Sequence, residues 1–81
     1  MDTLEVIYKY MAQAMGKDVE YVKSLSTDEN LSGLGLDSLS FIKFIVLIEE
    51  EFDFTFNDSD ILFDKFSSIY NITEMVKKYI R

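Results

Sequence analysis

The clearest chemical possibility in the chain lies in five residues, Gly35-Leu36-Asp37-Ser38-Leu39. They set one serine at the mouth of a long apolar segment, directly after an acidic residue able to cap a helix. Amides at the start of a helix are unpaired and favour a phosphate. A phosphodiester on Ser38 is therefore electrostatically tolerable, even in a chain of net negative charge. Asp37 can hold the cap while leaving Ser38 outward, and Gly33 and Gly35 let the preceding loop turn tightly and leave room for an incoming enzyme. The serine lacks an activating base. The chain has no His, and Lys43, a substitute in principle, lies five positions on and points away. Ser38 thus reads as a residue to be modified rather than a nucleophile. Asp-Ser taken alone is no more than a helix cap; the glycines before it and the apolar helix behind it give the pair its weight.

Composition narrows what such a serine can serve. The 81 residues make one domain, 1–81, with room for a small core. Fifteen acidic residues against eight basic ones give a net charge of −7, which disfavours nucleic acid and anionic membranes and fits partners that carry basic patches. Without Cys there is no disulfide, and without His the usual zinc sites and imidazole chemistry are excluded, so no metal site is expected. Paired acids such as Asp58 and Asp60 read as loop solvation or capping. The start, Met1-Asp2-Thr3-Leu4-Glu5, does not resemble a secretory signal. The apolar run Phe41 to Ile48 is interrupted by Lys43, followed by three glutamates and too short to span a bilayer. The expectation is a cytoplasmic protein without membrane insertion.

The elements that must position Ser38 follow from periodicity. Leu4, Ile7, Tyr8, Met11 and Met15 recur at helical spacing and predict a helix over Thr3 to Met15, opened by an Asp2–Glu5 capping box and stopped by Gly16. Lys17 to Asp37 reads as a long loop, with a turn or two of helix within Asp18 to Leu25. Its Val19, Val22, Leu25, Leu31, Leu34 and Leu36 should pin it to the helices. A loop of that length is uncommon unless it is functional or holds a hidden turn. The next helix runs from Ser38 to Glu51 or Phe52, with Phe41, Ile45, Ile48 and Phe52 as its core stripe. Ser40, Lys43, Glu50 and Glu51 lie opposite, and Leu39 and Val46 fall on the shoulder between, an apolar spot of the kind where partners dock.

Phe52-Asp53-Phe54-Thr55-Phe56 alternates as a strand does, but no second segment pairs with it, so it reads as an extended connector tucking Phe54 and Phe56 inward. A short helix over Asp58 to Phe63, capped by Asn57 or Ser59, comes next. The last helix starts after Asn71, with an Asn71–Glu74 capping box and the stripe Ile72, Met75, Val76, Tyr79 and Ile80. Lys77, Lys78 and Arg81 suit its C-terminal end. The expected fold is all-α: a four-helix bundle of three main helices, one short helix and a long first loop.

On these residues the chain resembles the acyl carrier proteins, the family that bears 4′-phosphopantetheine. The resemblance runs through Leu34-Gly35-Leu36-Asp37-Ser38-Leu39, then Ile42, Ile45, Val46 and Leu47, then Glu49-Glu50-Glu51-Phe52, and the ending Val76-Lys77-Lys78-Tyr79-Ile80. It implies that Ser38 receives the arm, with Asp37 and Leu39 as its motif neighbours. Leu39 and Val46 correspond to apolar docking positions, and Glu49, Glu50 and Asp53 to acidic recognition positions. It further implies a non-catalytic, monomeric shuttle. A phosphopantetheinyl transferase using coenzyme A and Mg²⁺ would load the arm covalently, and its thiol would carry a thioester between an activating enzyme and synthase or transferase enzymes with basic docking patches. Ser40 and Lys43 stand where fatty-acid carriers often have acids. They leave room for a specialised carrier of polyketide or nonribosomal peptide synthesis, while Asp37 and the three glutamates favour acyl over aminoacyl or peptidyl cargo. The alternative of another class is a helical adaptor in which Ser38 stays bare. Aromatic residues could line a cargo cavity of such a carrier; close packing favours simple filling.

Overall fold

The computed structural model describes residues 2–80. Its first helix, α1, spans Thr3–Met15 as the periodicity predicts. Asp2 caps it, its carboxylate accepting from the Leu4 amide at 3.4 Å. The expected capping box is not completed: the Glu5 carboxylate pairs instead with Lys23 at 2.9 Å. A cation eighteen positions away competes for it, which local spacing cannot reveal. Gly16 ends the helix at φ 70°, and the Lys17 amide reaches back to the Ala12 carbonyl at 2.9 Å. That left-handed turn suits glycine. Val6, Ala12 and Ala14 are buried beside the predicted stripe, because α1 packs against three other parts of the fold.

The first connection holds a five-residue helix, α2 (Val19–Lys23), inside the segment where a turn was expected, and a 3₁₀ turn at Leu31–Leu34. Val22, Leu31 and Leu36 are buried and Val19, Leu25 and Leu34 partly so, which pins the loop as expected. Two backbone bonds tie it across the start of the last helix. The Leu31 amide donates to the Ser67 carbonyl and the Tyr70 amide to the Thr27 carbonyl, each at 2.8 Å. The connection is therefore an ordered wall of the bundle.

The helix α3 spans Ser38–Phe52. Its buried face is Phe41, Phe44, Ile45 and Ile48, a correction to the predicted stripe: Phe44 is fully buried and Phe52 only half so. The helix is wedged between α1 and a turn at Phe63–Phe66, and two contacting sides bury a face wider than a single i, i+4 row. Asp53 closes α3 in the left-handed region at φ 57°, while the Phe54 amide bonds the Glu49 carbonyl at 3.2 Å.

Beyond α3 the chain has no regular structure up to Asn57, with Phe56 buried and Phe54 half-buried, the inward tuck expected of the connector. Among the described residues there is no strand. In place of the predicted helix over Asp58 to Phe63 stand two 3₁₀ turns, Asp58–Asp60 and Phe63–Phe66, and Asn57 makes no side-chain cap. Aromatic packing dictates the tighter winding. The Phe66 ring meets Phe41 at 5.1 Å and Phe56 at 5.5 Å, and Phe56 meets Tyr79 at 4.9 Å, joining α3, the connector and the last helix. The Tyr79 hydroxyl also accepts from the Asn57 amide at 3.0 Å and donates to Asp60.

The last helix, α4, spans Ile69–Ile80 and begins earlier than predicted. The Ser68 hydroxyl accepts from the Asn71 amide at 3.1 Å, so Asn71 lies in the first turn and the Asn71–Glu74 box does not form. Ile69, 1% exposed, must join the core, and that draws the start of the helix upstream. Ile72, Met75 and Val76 are buried as predicted, with Tyr79 and Ile80 half-buried. Lys77 and Lys78 occupy the final turn; the dipole role of Arg81 lies outside the described residues. Among the described residues the architecture is all-α, three long helices and one short one, with α1 touching α2, α3 and α4. No described helix is long and apolar enough to cross a membrane.

Candidate functional site

Ser38 is the first residue of α3 and is exposed. Its position follows from its neighbours. Gly35 turns the chain at φ 120°, which side-chain-bearing L residues rarely adopt. Leu36, 1% exposed, then plugs the core, and its amide bonds the Leu31 carbonyl at 3.1 Å. With Leu36 anchored inward, Asp37 and Ser38 emerge on the surface. Gly33 lies within the 3₁₀ turn Leu31–Leu34 with an ordinary φ and nothing within 4 Å of where a Cβ would stand, so the chain turns at both glycines but only Gly35 takes a backbone conformation that favours glycine.

Asp37 takes the cap. Its carboxylate accepts from the Ser40 amide at 2.8 Å, and that bond, followed by one from the Ser40 side chain, holds its pKa below the usual carboxylate range. This divides the labour at the helix mouth. One of the first-turn amides counted as available to a phosphate is spent on Asp37, and Asp37 places a negative charge beside Ser38. What favours a phosphodiester here is therefore the open, solvated position of Ser38 more than the helix end. The Ser38 hydroxyl makes no hydrogen bond among the described residues, so nothing must be broken to derivatise it. A carboxylate of depressed pKa is also a poor base, which leaves the hydroxyl unactivated from within.

The other predicted positions spread along α3. Leu39 is 67% exposed and Val46 45%, and Ile42 joins them at 48%. Ile42 is three residues from Leu39 and four from Val46, so helical spacing sets it on their face and makes it a third member of the apolar spot expected from Leu39 and Val46. Lys43 is exposed and, with Ile42, Val46 and Leu47, forms the α3 wall of a groove of about 430 Å³ whose α1 wall is Gln13 and Ala14.

Near the other end of α3 the acids diverge. Glu49 is half-buried and its carboxylate accepts from the Phe56 amide at 3.0 Å, which fastens the connector. Glu51 accepts from the Tyr10 hydroxyl at 2.6 Å, a bond that raises the Tyr10 pKa. Glu50 and Asp53 face solvent. The fold thus gathers Asp37, Ser38 and Leu39 at one end, keeps Glu50 and Asp53 for the other, and turns Glu49 toward the backbone. Asp60 is held by Tyr79 and by Lys65, 3.3 Å away, which lowers its pKa. Among the described residues no group of acids is arranged to hold a metal ion.

Comparison with known proteins bears on this site. Residues 5–76 match the family described as "Phosphopantetheine attachment site". No curated protein matches the chain.

Proposed function

Because the chain belongs to the phosphopantetheine-attachment family of carrier proteins, we propose that Ser38 is the residue that takes the arm. The chain is a carrier, and carrier domains of this family are not themselves catalytic. The observation that supports Ser38 is its exposed hydroxyl beside a cap residue that is already occupied. In the loading step the Ser38 Oγ–P bond forms and the pyrophosphate bond of coenzyme A breaks. The bisphosphorylated adenosine leaves with the electron pair, and the serine proton passes to a base of the transferase. The arm supplies a thiol that holds cargo as a thioester. Asp37 keeps the first turn of α3 intact without taking up the serine oxygen, and Leu36 keeps the attachment point from sinking into the core.

Acyl groups are the cargo in our reading, carried in the cytoplasm by the single domain 1–81 acting as a monomer. The acidic end of α3, with Glu50 and Asp53 exposed, supports partners bearing basic patches. The uncharged first turn of α3 and Lys43 favour specialised acyl pathways, such as polyketide synthesis, over housekeeping fatty-acid synthesis, and keep aminoacyl cargo as the second reading. Intact mass after incubation with coenzyme A, Mg²⁺ and a broad-specificity phosphopantetheinyl transferase tests the site. One added arm, absent in a folded Ser38→Ala variant, is the expected result. An arm retained by that variant, or no arm on the parent chain, overturns the assignment. Loading of the product by an acyl-activating rather than an amino-acid-activating enzyme then separates the two cargoes.

A further inference from the structure

The groove between α1 and α3 carries an unusual charge for this molecule. The chain has a net charge of −7, yet the charged side chain in the groove wall is the ammonium of Lys43. Its helical neighbours at i±3 and i±4 are Leu39, Ser40, Val46 and Leu47, none of them acidic. Among the described residues it enters neither ion pair, Lys23 with Glu5 or Lys65 with Asp60. Glu49 and Glu51, the nearest acids along α3 that are already engaged, are bonded to the Phe56 amide and to Tyr10. Across the groove Gln13 presents an uncharged carboxamide, and Ala14, Ile42, Val46 and Leu47 make the remainder of the lining apolar. An apolar trough flanked by an ammonium, and by a carboxamide that can donate as well as accept, complements an apolar side chain with a carboxylate beside it.

We propose that this groove receives a segment of a partner protein carrying a large apolar residue followed, one helical turn on, by Asp or Glu. The surface of α3 is then graded. The half near Ser38 selects a carboxylate through Lys43, and the distal half, with Glu50 exposed about 10 Å further along the helix axis, selects a basic group. A partner must present both signs in that order, which discriminates against surfaces that are uniformly basic. The inference rests on the carrier reading only for the reason that partners visit this face.

Two amidated twelve-residue helical peptides test it, identical except that Leu is followed four residues later by Glu in one and by Lys in the other. Each is titrated into the ¹⁵N-labelled apo chain while the amides of Gln13, Ala14, Ile42, Lys43, Val46 and Leu47 are followed. The acidic peptide is expected to shift these amides and to bind about two- to fivefold more tightly, the range of an exposed ion pair. That preference vanishes in Lys43→Met and reverses in Lys43→Glu, with the dispersion of the remaining amides checking the fold. Overall charge alone predicts the opposite order, so equal or tighter binding of the basic peptide to the parent chain overturns the proposal. So do shifts located elsewhere. Shifts of the same amides with protein concentration alone would assign the groove to a second copy, and shifts on conversion to the arm-bearing form would assign it to the arm; either also overturns it. Loading of Ser38, read by mass, does not depend on the peptides, so failure here leaves the carrier reading standing and failure there is seen separately.

Discussion

Leu39→Ala separates a docking residue from a packing residue. Leu39 follows Ser38 and is 67% exposed. Complete burial of a leucine side chain is worth about 1.5–3 kcal/mol, so a partner that covers the exposed two-thirds gains about 1–2 kcal/mol from it. At tenfold per 1.4 kcal/mol, its loss raises KM for the phosphopantetheinyl transferase about 5- to 30-fold while kcat changes little, since the contact is made equally in the ground and transition states. The remaining third of the side chain limits the loss of folding stability to about 1 kcal/mol or less. Leu36→Ala is the control: at 1% exposure its truncation leaves a cavity and costs about 2–5 kcal/mol. Urea unfolding gives the stabilities, and mass-resolved loading rates at several concentrations of apo chain give the kinetics. If Leu39→Ala destabilises the fold as Leu36→Ala does, or leaves KM unchanged, then Leu39 does not serve the partner and the reasoning from exposure fails.

Other perturbations probe the loop and the caps. Gly35→Ala should destabilise by more than about 1 kcal/mol, because φ 120° is strained for alanine, whereas Gly33→Ala, with open space and an ordinary φ, should be neutral or stabilise by up to about 1 kcal/mol; thermal melts distinguish them. The Asp37 carboxylate is held below its ordinary pKa, so its contribution is complete above the unfolded value near about pH 4 and is lost as pH falls through the lower folded value. The Tm gap between the parent chain and Asp37→Asn should accordingly close as pH drops below about 4, and a gap constant down to acid pH would contradict the cap. Asp53→Gly relieves a left-handed residue at φ 57° and should leave the fold as stable or more stable by up to about 1 kcal/mol. If that variant is nevertheless slowed in reactions with enzymes bearing basic patches, the Asp53 carboxylate acts in docking; unchanged rates would remove it from the interface.

What could be read from the chain alone was whatever depends on neighbours in sequence. The bounds of α1 and α3, the Gly16 stop, the Asp37 cap and the outward placement of Ser38 are local outcomes of periodicity and backbone chemistry, and each is legible within a few residues. The misses lie where a distant group changes a local choice. Glu5 leaves its capping box for Lys23, and Glu49 turns from the surface to the Phe56 amide. The segment after α3 winds into two 3₁₀ turns because Phe66 must reach Phe41 and Phe56. Ser68 takes the cap expected of Asn71 because burial of Ile69 needs an earlier helix start.

The setting of Ser38 was thus determined by sequence: a serine following a helix-capping acid, in a chain without imidazole, stands unactivated in the first turn on any backbone that lets that helix form. Its surroundings were decided by tertiary structure. Only the packing of α1 against α3 makes a groove from Gln13, Ala14, Ile42 and Lys43, and only Tyr10 and the Phe56 amide select which glutamates remain free to meet a partner. Capping acts over a single helical turn, whereas a docking surface is whatever polar and apolar area remains once contacts between residues far apart in the chain are made.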